Sequence, residues 1–150
     1  MKETKNDLQD ALGYAKKLLR FRARSKNELK ERLFQRGFSD QIIQSTIESL
    51  ERAGLIDDGK FAYLFAYDML TVHGFGPYKI KAKLKQLGVS QEVIDNAVNK
   101  VMKEVDLFNL LKRIVQLHKV EDGKIREFLY RRGFSSEYLQ VLDIEGGANE

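Results

Sequence analysis

The chain has 150 residues, with 26 Lys and Arg against 22 Asp and Glu for a formal charge of +4, and it has no cysteine. That length makes one domain or a short array of smaller units, and the missing thiols exclude disulfide scaffolds, thiolate zinc sites and cysteine nucleophiles. One proline, no tryptophan and abundant Leu, Lys, Glu and Arg favour an all-α protein; no apolar run nears the ~18 residues of a membrane span and no signal-peptide stretch opens the chain, so the expectation is a soluble, cytoplasmic protein without membrane contact.

The first predicted helix carries Leu8, Leu12, Ala15 and Leu19. Ser25 and Glu28 form a capping box for a second helix, with Leu29 and Leu33 on one face. Gly37 ends that helix in a left-handed residue, Phe38 packs back, and Ser39 caps a third helix bearing Ile43, Ile47 and Leu50. Gly54 closes it. Asp57 or Asp58 caps a fourth helix beginning near Gly59, whose apolar positions are Phe61, Phe65, Met69 and Val72. Here Phe65 is assigned to the core, while Tyr63 and Tyr67, four apart, share a partly exposed face; packing is favoured over base stacking for them. Gly76-Pro77 opens a fifth helix, with proline where its missing N–H costs nothing and with Ile80 and Leu84 turned inward. Gly88, Val89 and Ser90 lead into a sixth, with Ile94, Val98 and Val101. Leu107, Leu111, Ile114 and Leu117 mark the seventh, and Ile125 and Leu129 the eighth. Gly133, Phe134 and Ser135 precede a ninth that keeps Leu139 and Leu142 and is expected to run out at Asp143.

The same segment occurs three times. Residues 25–39 align without gaps to residues 76–90 and again to 121–135, at offsets of 51 and 45 residues. Self-similarity at that period predicts an elongated array of three tandem three-helix repeats, at 1–55, 56–103 and 104–144, followed by a disordered tail over 145–150. A three-helix unit of this size buries its own apolar stripe poorly, so neighbours are expected to stack and share a core.

Charge is unevenly spread. Residues 16–36 hold nine basic side chains against Glu28 and Glu31, and Lys79, Lys81, Lys83 and Lys85 form a second run with no acid between Tyr78 and Gly88. Two cationic runs at matching repeat positions point to an anionic partner, with a plain solvated face as the alternative for either run. No reaction centre assembles. His73 and His118 each close a linker helix, where a cation meets the helix dipole favourably. Gly74-Phe75-Gly76-Pro77 reads as a helix break rather than a phosphate loop, and Asp57-Asp58 as a cap rather than a metal or acid–base pair. The expectation is therefore no enzyme, no catalytic residue, no metal and no cofactor.

Ala11-Leu12-Gly13-Tyr14, then Arg20-Phe21-Arg22-Ala23-Arg24-Ser25 with Glu28-Leu29, resembles the opening signature of the RecX regulatory proteins of bacteria. Leu50 to Asp58 with Phe61-Ala62 is similar to that family's next block, Gly76-Pro77 with Ile80, Leu84 and Gly88-Val89-Ser90 to its central repeat, and Phe128 to Phe134 to its last. The resemblance implies a tandem three-helix repeat protein that binds in the groove of the RecA–DNA filament. It implies inhibition of filament growth, ATP hydrolysis, strand exchange and SOS co-protease activity, within homologous recombination and DNA repair. Binding to single- and double-stranded DNA without sequence preference and a monomeric state go with it. Site residues carry over only as a basic surface: Arg20, Arg22, Arg24, Lys26, Arg32 and Arg36 in the first repeat, Lys79, Lys81, Lys83 and Lys85 in the second, and Arg126, Arg131 and Arg132 in the third. Four lysines spaced by two cannot share one helix face, so half of them are expected to reach a partner. Arg22 and Arg24 have a structural alternative, capping carbonyls or pairing with Asp57 or Asp58. The rival functional reading is a general DNA-binding protein built from helix-turn-helix-like pairs.

Overall fold

In the computed structural model the described residues are 5–148, with side chains over 7–143. They form an all-α array of three tandem three-helix repeats, with no strand among them. Helices α1 (Lys5–Phe21), α2 (Lys26–Gln35) and α3 (Asp40–Arg52) make the first repeat. The second is α4 (Asp58–Thr71), α5 (Pro77–Gln86) and α6 (Gln91–Glu104). The third is α7 (Leu107–Leu117), a 3-10 turn at Asp122–Lys124, α8 (Ile125–Arg131) and α9 (Ser136–Ala148).

The punctuation acts as its chemistry dictates. Ser25 Oγ accepts from the Glu28 N–H while the Glu28 carboxylate accepts from the Ser25 N–H, closing the capping box. Ser39, Asp57, Ser90 and Asp106 cap their helices by accepting from the N–H three residues on. Gly37, Gly88 and Gly133 stand at φ of 95, 81 and 106°, the left-handed region that lets each helix stop and turn back. Of the two aspartates, Asp57 is the cap; the Asp58 carboxylate instead accepts from the Lys26 N–H at 2.8 Å, tying the second repeat to the first.

The buried stripes differ in detail from those expected. Ala11, Ala15 and Leu18 line the inner face of α1, leaving Leu8, Leu12 and Leu19 half-buried. In α4 the buried set is Phe61, Ala62, Ala66 and Leu70, so Phe65 and Met69 lie at the margin, and Val72 is 72% exposed. In α7 Leu110, Leu111 and Ile114 are buried and Leu117 is not. The cause is common to α1 and α4. Each packs closely on the last helix of its repeat, and alanines admit a close neighbour where larger side chains do not. Val72 and Leu117 fall at helix C-terminal ends, beyond the packed turns. The ninth helix continues through Ala148, four residues past the expected limit of the third repeat. No proline interrupts this segment, and its two glycines weaken a helix without forbidding it. Residues 149–150 of the expected tail lie outside the described residues.

The repeats do not share one core. Ala11, Ala15, Leu18, Leu29, Leu33, Ile42, Ile43, Ile47 and Leu50 of the first repeat form one cluster, joined only by Ile56 of the linker that follows. A second cluster runs unbroken from Phe61 in α4 to Phe134 and Leu139 in the third repeat. The first repeat thus fills its own interior, contrary to the expectation that every unit needs a neighbour. The third does need one: α8 has only seven residues, too short to cover the third repeat's interior unaided.

Polar seams join the repeats. Ser25 Oγ–H donates to the Leu87 carbonyl at 2.7 Å. In the next seam the Gly76 N–H donates to the Arg132 carbonyl at 2.7 Å and the Tyr78 N–H to the Gly133 carbonyl at 3.0 Å. Gly76 must be glycine for this approach, since a Cβ there would lie 2.4 Å from the Gly133 carbonyl carbon.

Candidate functional site

The exposed cations gather at two places. In the first repeat, α1 holds Arg20 in its last turn and the strap from Arg22 to Ser25 carries the chain into α2. The Arg22 guanidinium pairs with Glu28 at 2.7 Å, so the carboxylate that completes the capping box also orients an arginine. Arg24 donates from Nε to the Leu18 carbonyl at the end of α1. Partial burial, followed by the positive charges of Arg22 and Arg32, lowers the Arg24 pKa from its ordinary value. Arg36 rests over the Tyr14 ring, 4.4 Å from its centroid. Arg22, Arg24, Arg32 and Arg36 thus lie around the junction of α1 and α2, with Glu28 paired to Arg22 and Tyr14 beneath Arg36.

The second place lies at the seam between the second and third repeats. Lys79 and Lys83, one turn apart on α5, hold their ammonium groups 5.7 and 6.0 Å from the centroid of Phe75. Arg132 covers the same ring at 4.8 Å and reaches Phe128 at 5.6 Å. It is fixed there by donating from Nε to the Gly74 carbonyl at 2.9 Å and from Nη2 to the His73 carbonyl. One half-buried ring thus draws three cations together. A phenyl face stabilises them modestly and leaves their outward N–H groups for an anion.

The remaining sequence candidates are spread out. Lys81 turns away from Phe75 to Asp95 on α6, at 3.2 Å. The amide of Gln91 and then Lys81 hydrogen-bond the Asp95 carboxyl, holding its pKa below the ordinary value. Lys85 and Arg20 are exposed. Lys26 is a seam residue, its N–H on Asp58 and its ammonium 3.5 Å from Glu51. Arg126 pairs with Asp143 and Arg131 with Glu127 at 2.6 Å, which reduces the charge the third repeat presents. Arg22 and Arg24 take the carbonyl-capping role foreseen as an alternative, Arg22 on Ala23 and Arg24 on Leu18, while neither pairs with Asp57 or Asp58.

Phe75 escaped the sequence reading, which saw only a helix break in Gly74-Phe75-Gly76-Pro77. The usable signal was repeat register. An offset of 51 residues carries Arg24 to Phe75 and Arg32 to Lys83, so the two clusters overlap in repeat register at one cation position, while Lys79 falls on Glu28 and Arg132 comes from the third repeat. His73 and His118 stay at helix ends, the His118 ring nitrogen lying 2.9 Å from the Ile114 carbonyl. Among the described residues no group of three or more His, Cys, Asp or Glu is placed to hold a metal ion, and no helix is long and apolar enough to cross a membrane.

Comparison with known proteins agrees with this architecture. A model of the first three-helix domain of RecX matches residues 11–50, and one of its second three-helix domain matches residues 57–98. The Regulatory protein RecX of Thermotoga maritima is 44% identical over 138 residues, spanning 91% of this chain and 85% of the relative. The protein of the same description from Pelodictyon phaeoclathratiforme is 32% identical over 146 residues, spanning 91% and 89%. The crystal structure of RecX from Lactobacillus salivarius superposes with a TM-score of 0.81 over 95% of this chain and 97% of that one, at 19% identity, which is a likeness of fold.

Proposed function

Because this chain belongs to the RecX family of regulatory proteins, we propose that it binds the RecA–DNA filament and restrains filament growth, ATP hydrolysis, strand exchange and co-protease activity. The observation that carries this reading is a pair of cation clusters along the array, one on the first repeat and one at the seam of the second and third, which share the repeat position of Arg32 and Lys83. A polymer with a long groove presents its phosphates and acidic side chains at regular intervals, and an elongated array with cations at a regular repeat can follow them. Arg22, Arg24, Arg32 and Arg36 make one contact and Lys79, Lys83 and Arg132 the next. Arg20 and Lys85 contribute long-range attraction, and Arg126 and Arg131, already paired, contribute little. The protein acts in the cytoplasm, non-catalytically and without a cofactor, and touches both single- and double-stranded DNA through phosphates rather than base edges.

The rival reading, a DNA-binding protein that only competes for the lattice, is weakened by α3, whose exposed face carries Glu48 and Glu51, charges that a major groove repels. The two separate in one assay. Preassembled RecA filaments are titrated with this protein and the ATPase rate followed. Inhibition well below one molecule per RecA supports the filament reading, whereas inhibition only near saturation of the DNA supports competition.

A further inference from the structure

The repeat register leaves one interface half-made at each end of the array. Inside the chain the beginning of one helical hairpin twice docks on the glycine turn of the next. Ser25 meets the Leu87 carbonyl and Gly76 the Arg132 carbonyl; Ser25 and Gly76 occupy one repeat position, Leu87 and Arg132 another. The third members of these two series stand at opposite ends. Arg36 heads the array beside Gly37, and Glu121 ends it beside Asp122 and Gly123.

Among the described residues both ends are open where the internal seams are closed. A Cβ on Gly88 would meet Asn27 at 2.4 Å and one on Gly133 would meet the Lys79 nitrogen at 2.9 Å, whereas one on Gly37 would meet nothing within 4 Å. The apolar residue after each glycine agrees: Val89 is 4% exposed and Phe134 0%, while Phe38 is only half-buried. At the other end a groove of about 310 Å³ is lined by Lys119, Val120, Glu121, Lys124, Glu127, Phe128 and Arg131, and Gly123 also faces open space. Lys119 has a φ of 51°, unusual for a lysine. It is the repeat equivalent of Gly74, whose φ is 71° and whose carbonyl receives Arg132. The acceptor for a third seam is therefore already shaped.

The geometry points to head-to-tail association with further copies of this chain. The Arg36-Gly37 turn of one molecule seats on the Lys119–Gly123 end of the next. Arg36 leaves Tyr14 and donates to the carbonyls of His118 and Lys119, as Arg132 donates to those of His73 and Gly74. Arg32 and Arg36 on the head meet Glu121 and Asp122 on the tail, where Lys119, Lys124 and Arg131 also line the groove, so the register is set by the carbonyl contacts rather than by net charge. Such an interface is heterologous, so it extends as an open chain and does not close into a two-fold dimer. The internal seams benefit from covalent linkage, equivalent to roughly millimolar local concentration, so free chains associate only as they approach that range and are monomeric when dilute. This inference stands on repeat register alone and is independent of the filament reading.

Sedimentation velocity of the full chain from micromolar to roughly millimolar concentration tests it, together with amide shifts of Gly37 and Gly123 over the same range. The expected result is a weight-average mass that climbs past two chains, with both amides shifting. Arg36→Glu, which spoils the head, and Gly123→Trp, which fills the tail groove, should each remain monomeric with an unchanged melting curve. Mixed one to one, they should give a heterodimer and nothing larger, since each supplies the end that the other lacks. A single 17.3 kDa species at every concentration, a two-fold dimer that stops at two chains, or two inactive variants that fail to complement would each overturn the inference.

Discussion

Gly76→Ala is the sharpest probe of how the second and third repeats are held together. The Gly76 φ of −88° is ordinary for any residue, so the substitution carries no backbone penalty of its own. Its cost is steric. The new methyl would lie 2.4, 2.5 and 2.6 Å from Gly133 C, Gly133 O and Phe134 N, about 1 Å or more inside the ~3.5–4.0 Å of a relaxed contact. Main chain lines that side, so no side chain can swing away. The seam must part instead, straining the hydrogen bonds from Gly76 to Arg132 and from Tyr78 to Gly133 and loosening Phe134, which is fully buried. Overpacking together with one or two weakened hydrogen bonds amounts to about 2–4 kcal/mol. For a chain of this size that lowers the melting temperature by roughly 6–12 °C. The assay is urea and thermal unfolding followed by circular dichroism, with amide exchange read at Gly76 and Tyr78. Gly13→Ala is the control: nothing lies within 4 Å of the new methyl and the site is helical, so it should stabilise by about 0.5–1 kcal/mol. A Gly76→Ala protein as stable as its parent would refute the close main-chain approach on which the joint core depends.

Three further outcomes are expected. Lys79→Glu with Lys83→Glu should leave the melting temperature nearly unchanged, because both ammonium groups are exposed at the Phe75 ring; it should raise the amount needed to inhibit filament ATPase by at least about tenfold and flatten the log–log salt dependence of DNA binding by about 2. Ser25→Ala removes both a cap and the bond to Leu87 and should cost about 1–3 kcal/mol in urea titration, whereas Ser90→Ala, which removes a cap alone, should cost about 1 kcal/mol. Asp95 has its folded pKa depressed by Gln91 and Lys81. Its stabilising contribution is therefore fully present above the unfolded value near 3.9 and is lost as pH falls through the lower folded value; carboxyl shifts should titrate below 3.9, and Gln91→Ala should move them upward.

Helix punctuation was legible in the residues because it is local chemistry. A serine three residues before a free amide, a glycine where φ must turn positive and a proline at a first helical position act through their immediate neighbours, and Ser25, Ser39, Ser90, Gly37, Gly88, Gly133 and Pro77 were found where the pattern put them. The three-fold repeat was legible for a related reason: one local solution copied three times leaves the same apolar, glycine and serine positions each time. Helix faces were less so. Large apolar residues dominate a periodicity reading, while the helices of the first and second repeats meet through Ala11, Ala15, Ala62 and Ala66.

Only the tertiary structure decided which charges act together. Lys79, Lys81, Lys83 and Lys85 are alike in the chain, but packing turns Lys81 to Asp95 and brings Arg132 from the next repeat onto the ring that Lys79 and Lys83 face. The same holds for cores. Nothing in the repeated segment says that the first unit closes on itself while the third, with its short α8, must borrow burial from the second. A side chain's local role follows from residues within a turn or two of it, but its partner across a seam is chosen by how whole helices stack. That choice depends on distances that neighbouring residues do not encode.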